Sequence, residues 1–378
     1  MNRTPLPRPT LVPGLSRFWR TAGELQLGLD PAHAVLLRLP DPRAARLLDL
    51  LDGDRAERLV LVRAAELDIP PADARTLLDL LHEAGLVLPA ASLLPAALPS
   101  IVRDRLTAEA AALALDGAAR SRGPASDRSG PSPAQILRRR REARVVLTGR
   151  GRLGSTIAVA LAQAGVGHVF PDLAGVVGPA EITGSPLLAS DVGSPRHEAV
   201  TAALERIVPG TGVHPLRRMP ASLVIQLAHD EPPALVAAGH EARRQPHLSV
   251  TMRDGAGVIG PLVPAAGAPC LNCLDLHRRD RDDGWTGIAP PAAPDGVEPC
   301  TVTTLLAATA YATGEALAFL DGATPETLGA AVEISAAGRF RRRTWPPHPR
   351  CGCQRGRRRP TFTGPSPHNH QTTFRRAR

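Results

Sequence analysis

Gly149-Arg150-Gly151-Arg152-Leu153-Gly154 lies between a short apolar run, RVVLTG, and an apolar helical run at 154–164. Glycines in a G-x-G-x-x-G turn let the backbone reverse tightly and approach a phosphate, and the helix that begins there aims free N–H groups at the negative charge. A second strand pattern, HVFPD, follows, so strand, helix and strand fall within about 30 residues, the βαβ unit of a parallel sheet. The expected fold class is α/β, a Rossmann-like domain with a mainly parallel sheet. Asp172, at the end of the second strand, stands where an acidic residue hydrogen-bonds a ribose hydroxyl. The competing reading is that the glycines serve only helix–strand packing.

The α/β pattern continues to residue 337. SLVIQLA is a strand, LSVTMRDGAGVIGPLV a hairpin across Asp254-Gly255, TVTTLLAATAYATGEALAFLDG a buried helix ending near Gly322, and AAVEISAAGRFRRRTW a closing strand pair. Upstream, RFWRTAGELQLGLDPAHAVLLRL reads as two β-rich runs around a turn at Asp30-Pro31-Ala32-His33. Three helical patterns follow. PRAARLLDLLDG has Asp41 as N-cap, Pro42 at the first helical position and Gly53 at its stop. RAERLVLVRAAEL is the second. PADARTLLDLLHEAGLV is the third, with Leu77, Leu78, Leu81 and Ala84 on one face and Gly85 at its end. A hairpin and three helices are the content of a small winged-helix (α+β) domain. The expected organisation is a disordered N-terminus at 1–16, the winged-helix module at 17–90, a helical and Pro/Ser/Gly linker at 91–142, the Rossmann-like domain at 143–355 and a disordered basic tail at 356–378.

Among 378 residues, 43% hydrophobic, there is ample material for real cores. No stretch reaches the roughly 18–20 apolar residues of a membrane span, and MNRTPLPRPTLVPGL lacks the apolar middle of a signal peptide, so a cytoplasmic location and no membrane partner are expected. All 45 basic residues are arginine. Schiff-base and P-loop lysine chemistries are thereby excluded. The net charge of +9 gathers in short runs at 138–141, 341–343 and 357–359, and only 3% of residues are aromatic. Such runs read as solvated linkers and tails, not as a nucleic-acid surface.

Four of the five cysteines form two close-spaced pairs, Cys270-Leu271-Asn272-Cys273 and Cys351-Gly352-Cys353. Four thiolates suit a closed tetrahedral zinc site with no catalytic position; a redox pair or unligated thiols are the alternatives. Cys300 reads as an inert filler before a nucleophile, and His277 with Asp280-Arg281-Asp282-Asp283 as a solvated helix end.

The spacing Gly149-x-Gly151-x-Leu153-Gly154-Ser155, the helix after it and then AGVGHVFPD resemble the ThiF/MoeB family of adenylyltransferases over residues 133–355. The resemblance implies that Gly149, Gly151, Leu153, Gly154, Ser155, Asp172 and Arg196 line an ATP and magnesium site, that a peptide or small-protein C-terminal carboxylate is adenylated, and that the cysteine pairs hold structural zinc. It also implies a tendency to form homodimers. Several positions depart from the family pattern. Arg152 stands where the family prefers glycine, and the family's second acidic residue is Ala174. Its lysine in G-x-P-K is Arg196, and its S-N-L-x-R-Q segment has no counterpart. The next strand ends near His229 and Asp230 instead of an acidic pair. Together these departures imply that adenylation is lost.

The module at 17–90 resembles the PqqD-like element that holds a precursor's leader peptide as an added strand. Its third helix carries Asp73, Asp79 and Glu83 against Arg75, a poor face for a DNA groove. The resulting expectation is a leader-peptide-binding and presenting component of ribosomal-peptide modification, of azole or bacteriocin type, serving a separate YcaO-type catalytic subunit. An active ATP-dependent adenylyltransferase is the alternative. A nicotinamide or flavin oxidoreductase is a weaker third, since no hydride-transfer residues are recognisable.

Overall fold

The computed structural model describes residues 4–30, 34–122, 130–265, 267, 269–285 and 297–354. The turn at 31–33, most of the Pro/Ser/Gly segment and the basic tail from 355 onward, with its arginine run at 357–359, lie outside the described residues.

The N-terminal unit begins earlier than the sequence pattern suggested. β1 (Pro9–Leu11) pairs antiparallel with a later strand, β5 (Val87–Pro89), and Leu6 and Leu11 are buried in the unit's core. The expectation of disorder through residue 16 is corrected for this stretch: burial of those leucines and the backbone pairing to Val87–Pro89 order it. The two β-rich runs are in fact three strands, β2 (Arg17–Thr21), β3 (Glu24–Leu27) and β4 (Val35–Arg38), in one antiparallel sheet. Ala22-Gly23 make a tight turn inside the first run, with the Gly23 N–H donating to Thr21 Oγ1 at 3.3 Å. The first helical pattern is a 3-10 helix at Pro42–Leu50, opened by the Asp41 carboxylate, which accepts the Arg43 N–H at 2.9 Å. α1 (Glu57–Glu66) and α2 (Pro71–Glu83) follow, and α2 buries Ala74, Leu77, Leu78 and Leu81 before stopping at Gly85, whose φ is +73°.

Much of the expected linker is packed helix. α3 (Ala90–Leu93), α4 (Ser100–Arg122) and α5 (Pro133–Glu142) share a core of Leu93, Leu98, Leu106, Ala110, Ala114 and Leu137. Ser132 and Gln135 form a reciprocal capping box at the start of α5. The arginine run at 138–141 lies in this helix, and Arg140 is 3% exposed, paired through Nε and Nη2 with Asp321 at 2.9 and 2.7 Å. It is a buried anchor and not a solvated charge.

The second unit is built on β6 (Arg144–Gly149), α6 (Leu153–Gln163), β7 (His168–Leu173), α7 (Arg196–Ile207), β8 (Leu223–Gln226), α8 (Pro233–Ala242), β9 (His247–Arg253), β10 (Ala256–Val263), α9 (Leu271–Arg279), α10 (Val302–Asp321), β11 (Ala330–Ala336) and β12 (Arg339–Thr344). The seven strands form one sheet in the order β12-β11-β10-β9-β8-β6-β7. β7, β6, β8 and β9 run parallel, and β9 to β12 extend the sheet as antiparallel neighbours. From β6 the chain goes to β7 on one side and returns to β8 on the other, which opens a crevice at the carboxyl ends of those strands. Val145, Leu147, Ile157, Leu161, Ile225 and Val250 pack under that crevice with Leu305 and Ala308 of α10. α6 and α10 are joined by Thr156 and Thr309, whose hydroxyls lie 2.8 Å apart. The run at 341–343 falls on β12, an exposed edge strand, not in a linker. Among the described residues no helix is long and apolar enough to cross a membrane.

Candidate nucleotide turn and metal centre

The glycine turn leaves β6 and enters α6 as its spacing predicts. Gly149 and Gly151 have φ of +113° and +110°, a region closed to most side chains, and a Cβ on Gly149 would lie 2.6 Å from the Ala228 carbonyl. Arg150 N–H donates to that carbonyl at 2.9 Å, tying the turn to the end of β8. Gly154 allows α6 to approach β7: a Cβ there would meet Leu173 at 2.9 Å. Leu153 and Ser155 are 2% and 4% exposed within α6.

A shallow cleft over the turn is lined by Arg150, Gly151, Leu153, Leu227, Met252 and Glu298, among others. Asp172 is exposed at the end of β7, in register with Thr148, and does not line this cleft. Asp230 pairs with Arg150, while burial holds the neighbouring His229 below the ordinary histidine range.

Arg196 is where the structure departs most from the sequence expectation. At 9% exposure, its Nε and Nη2 donate to the two Glu181 carboxylate oxygens at 2.9 and 2.7 Å, and the guanidinium also donates to the Val176 and Ala174 carbonyls. In this arrangement the side chain clamps the segment after β7 onto the start of α7, because a buried carboxylate and two carbonyls satisfy its planar fork. Glu181 and Glu298 carried no motif and were missed. Glu298 accepts the Arg152 backbone N–H at 2.8 Å from 146 residues away. Cys300, nearby, has its thiol pushed up by burial and donates to the Thr301 carbonyl at 3.2 Å.

The four paired cysteines come together. Cys270 caps α9, Cys273 lies one turn on, and Cys351 and Cys353 approach from the chain after β12. Sγ–Sγ separations are 3.9 Å for Cys270–Cys273, 3.6 Å for Cys270–Cys351 and 3.5 Å for Cys273–Cys353. Tetrahedral zinc with bonds of about 2.3 Å sets its sulfurs about 3.8 Å apart, so the cluster fits that ion. Cys270, Cys273 and Cys351 are buried against Val236 and Ala237 of α8 and Val263 of β10. A hydrogen bond from Cys270 lowers the Cys273 thiol, and burial raises that of Cys353.

A brace lies behind this cluster. His348, 2% exposed, meets Asp280 through Nε2 at 2.7 Å, and its carbonyl accepts the Cys351 N–H at 3.0 Å. His277 contacts the Pro346 carbonyl at 2.9 Å and sets its ring edge-on to His348. Asp280 also pairs with Arg350, so these groups tether the cysteine-bearing chain to the end of α9. Asp280, Asp282 and Asp283 are all exposed, as the reading of a solvated helix end expects, and Asp280 in addition holds His348 and Arg350.

No family model and no curated protein matches the sequence. Solved structures do. MccB of E. coli with ATP aligns at TM-score 0.59 and 15% identity, over 91% of this chain and 99% of that one. The microcin C7 biosynthetic enzyme MccB in complex with N-formylated MccA aligns at TM-score 0.58 and 15% identity over the same shares. PaaA aligns at TM-score 0.59 and 16% identity, over 87% of this chain and 98% of PaaA. The chain therefore has, across nearly the whole length of both, the fold of MccB and PaaA, with a Rossmann-like domain preceded by a small β-rich unit.

Proposed function

We propose that this protein binds a precursor peptide through its N-terminal unit and presents it for modification by a separate catalytic subunit, without adenylating it. The observation that carries the reading is the engagement of Arg196 in a buried pair with Glu181, in a chain that shares the fold of an enzyme solved in complex with N-formylated MccA. With no lysine in the chain, Arg196 engaged by Glu181, Arg150 paired with Asp230 and Arg152 donating to the Cys300 and Thr183 carbonyls, each of these cations already has a partner where a triphosphate in transfer would need it. The three-stranded sheet supplies the peptide surface. β2 is an edge strand, its residues mostly exposed, so its backbone N–H and C=O groups can accept an added strand. Trp19 on β2 is 45% exposed and offers apolar contact beside that edge. In this account the unit is PqqD-like, zinc fills the cysteine cluster as a structural ion, and the chain works in the cytoplasm, as a homodimer, with a YcaO-type partner.

The alternative, an active adenylyltransferase using ATP and magnesium, draws on the ATP-bound MccB neighbour and keeps Asp172 at the expected strand end. A pyrophosphate-exchange assay on the zinc-loaded chain, with the precursor peptide encoded beside it, separates the two. Peptide binding without exchange supports presentation. Exchange dependent on Asp172 establishes the enzyme.

A further inference from the structure

Arg152 breaks the glycine-rich pattern of the turn, and its side chain has a definite use. The residue is 7% exposed, its Nη1 and Nη2 donate to the carbonyls of Cys300 at 3.1 Å and Thr183 at 3.3 Å, and its Nε has no partner among the described residues. Carbonyl dipoles alone leave a buried cation poorly compensated, so an anion is needed nearby. Glu298 supplies it. One carboxylate oxygen accepts the Arg152 backbone N–H at 2.8 Å, and the pair lies so close to Gly151 that a Cβ there would meet the two oxygens at 2.6 and 3.0 Å. A glycine with positive φ followed by a free N–H at a helix start is the arrangement that grips a phosphate oxygen. Here a carboxylate of the same chain holds that position.

We infer that Glu298 is an internal anion occupying the glycine turn, with Arg152 as the clasp that keeps its segment there, and that an outside phosphate enters only after Glu298 leaves. This rests on reading the turn as an anion cradle, and it deepens the proposal that the chain presents a peptide without adenylating it. Neutralising Glu298 leaves the Arg152 N–H and the positive end of α6 without a counter-charge. The altered turn then takes up inorganic pyrophosphate or MgATP.

The test titrates the full-length wild-type chain, E298Q and E298A with inorganic pyrophosphate and with MgATP by calorimetry, after matched thermal unfolding and metal content confirm that each is folded. Both variants are expected to bind pyrophosphate at least tenfold more tightly than wild type, and adding Arg152→Ala to E298Q should remove the gain. Wild type binding as tightly as E298Q, no binding by either variant, or a gain that survives Arg152→Ala overturns the inference. Amide hydrogen exchange on the wild-type chain gives a check that needs no variant: with no ligand present, the Arg152 N–H is expected to be protected, and free exchange there refutes the contact. Precursor-peptide affinity is measured in parallel. Its absence in wild type sinks the functional proposal while leaving this one intact.

Discussion

Replacing Cys351 with alanine opens the metal centre at a buried thiol 3.6 Å from Cys270. If zinc joins the two pairs, it closes a loop of roughly 80 residues between Cys273 and Cys351, and a cross-link of that length restricts the unfolded chain by about 4.5 kcal/mol. The second unit is large enough that each kcal/mol moves the melting temperature by roughly 2–4 °C, so a loss of about 10–15 °C is expected. The assay is differential scanning calorimetry of wild-type protein, Cys351→Ala and wild type after exhaustive chelation, with zinc quantified in each. Stoichiometric zinc in wild type alone, and matching losses for the mutant and the chelated chain, are the expected result. A shift below about 3 °C in both, or a wild-type chain free of zinc that melts normally, refutes the reasoning.

Three other outcomes follow from buried charge and exposed edge. His240, stacked on His247 at 4.1 Å and hydrogen-bonded to Gln226, has its pKa lowered from 6.5 to about 4, by burial first and then by the charges of His247, Arg243 and His229. The folded chain therefore binds fewer protons than the unfolded one between those values; stability is full above pH 6.5 and falls, by up to ~3 kcal/mol, as pH drops toward 4. His240→Gln should flatten that slope in melting curves taken across the window, and an unchanged slope would remove His240 as its source. Arg196→Ala strands the Glu181 carboxylate in a buried site and should cost about 3 kcal/mol of unfolding free energy in urea, with peptide affinity intact. A loss under about 1 kcal/mol would mean that the clamp contributes little. Trp19→Ala should weaken precursor binding about tenfold, by fluorescence anisotropy, with the melting temperature held; equal binding moves the peptide surface off β2.

The features legible in the sequence were those whose cause is local. The βαβ unit around Gly149 to Gly154, the hairpin at Asp254-Gly255, the Asp41 cap and the stop at Gly322, with its φ of +84°, each depend on a few neighbouring residues that favour one backbone geometry. The cysteine pairs were legible for a chemical reason, since close-spaced thiols in two places have few other uses. Long-range pairing was not. β1 is only three residues and carries no period; its order comes from Val87–Pro89, far along the chain. α5 reads as linker because its arginines hide an apolar face of Ile136 and Leu137, and Arg140 is buried because Asp321, Glu109 and the Ala164 carbonyl all reach it. Arg196 was placed by alignment with a lysine, yet its partner Glu181 lies in a segment with no motif. Glu298 is one acid among 36, and only folding brings it to Arg152.

The central claim, a peptide-presenting chain that does not adenylate, is tested most directly by pyrophosphate exchange on the purified, zinc-loaded protein that has been shown to bind its precursor peptide. The account predicts micromolar-range peptide binding and exchange no faster than in a blank without protein. Peptide-dependent exchange above that blank, abolished by Asp172→Ala, would contradict it and make the chain an adenylating enzyme.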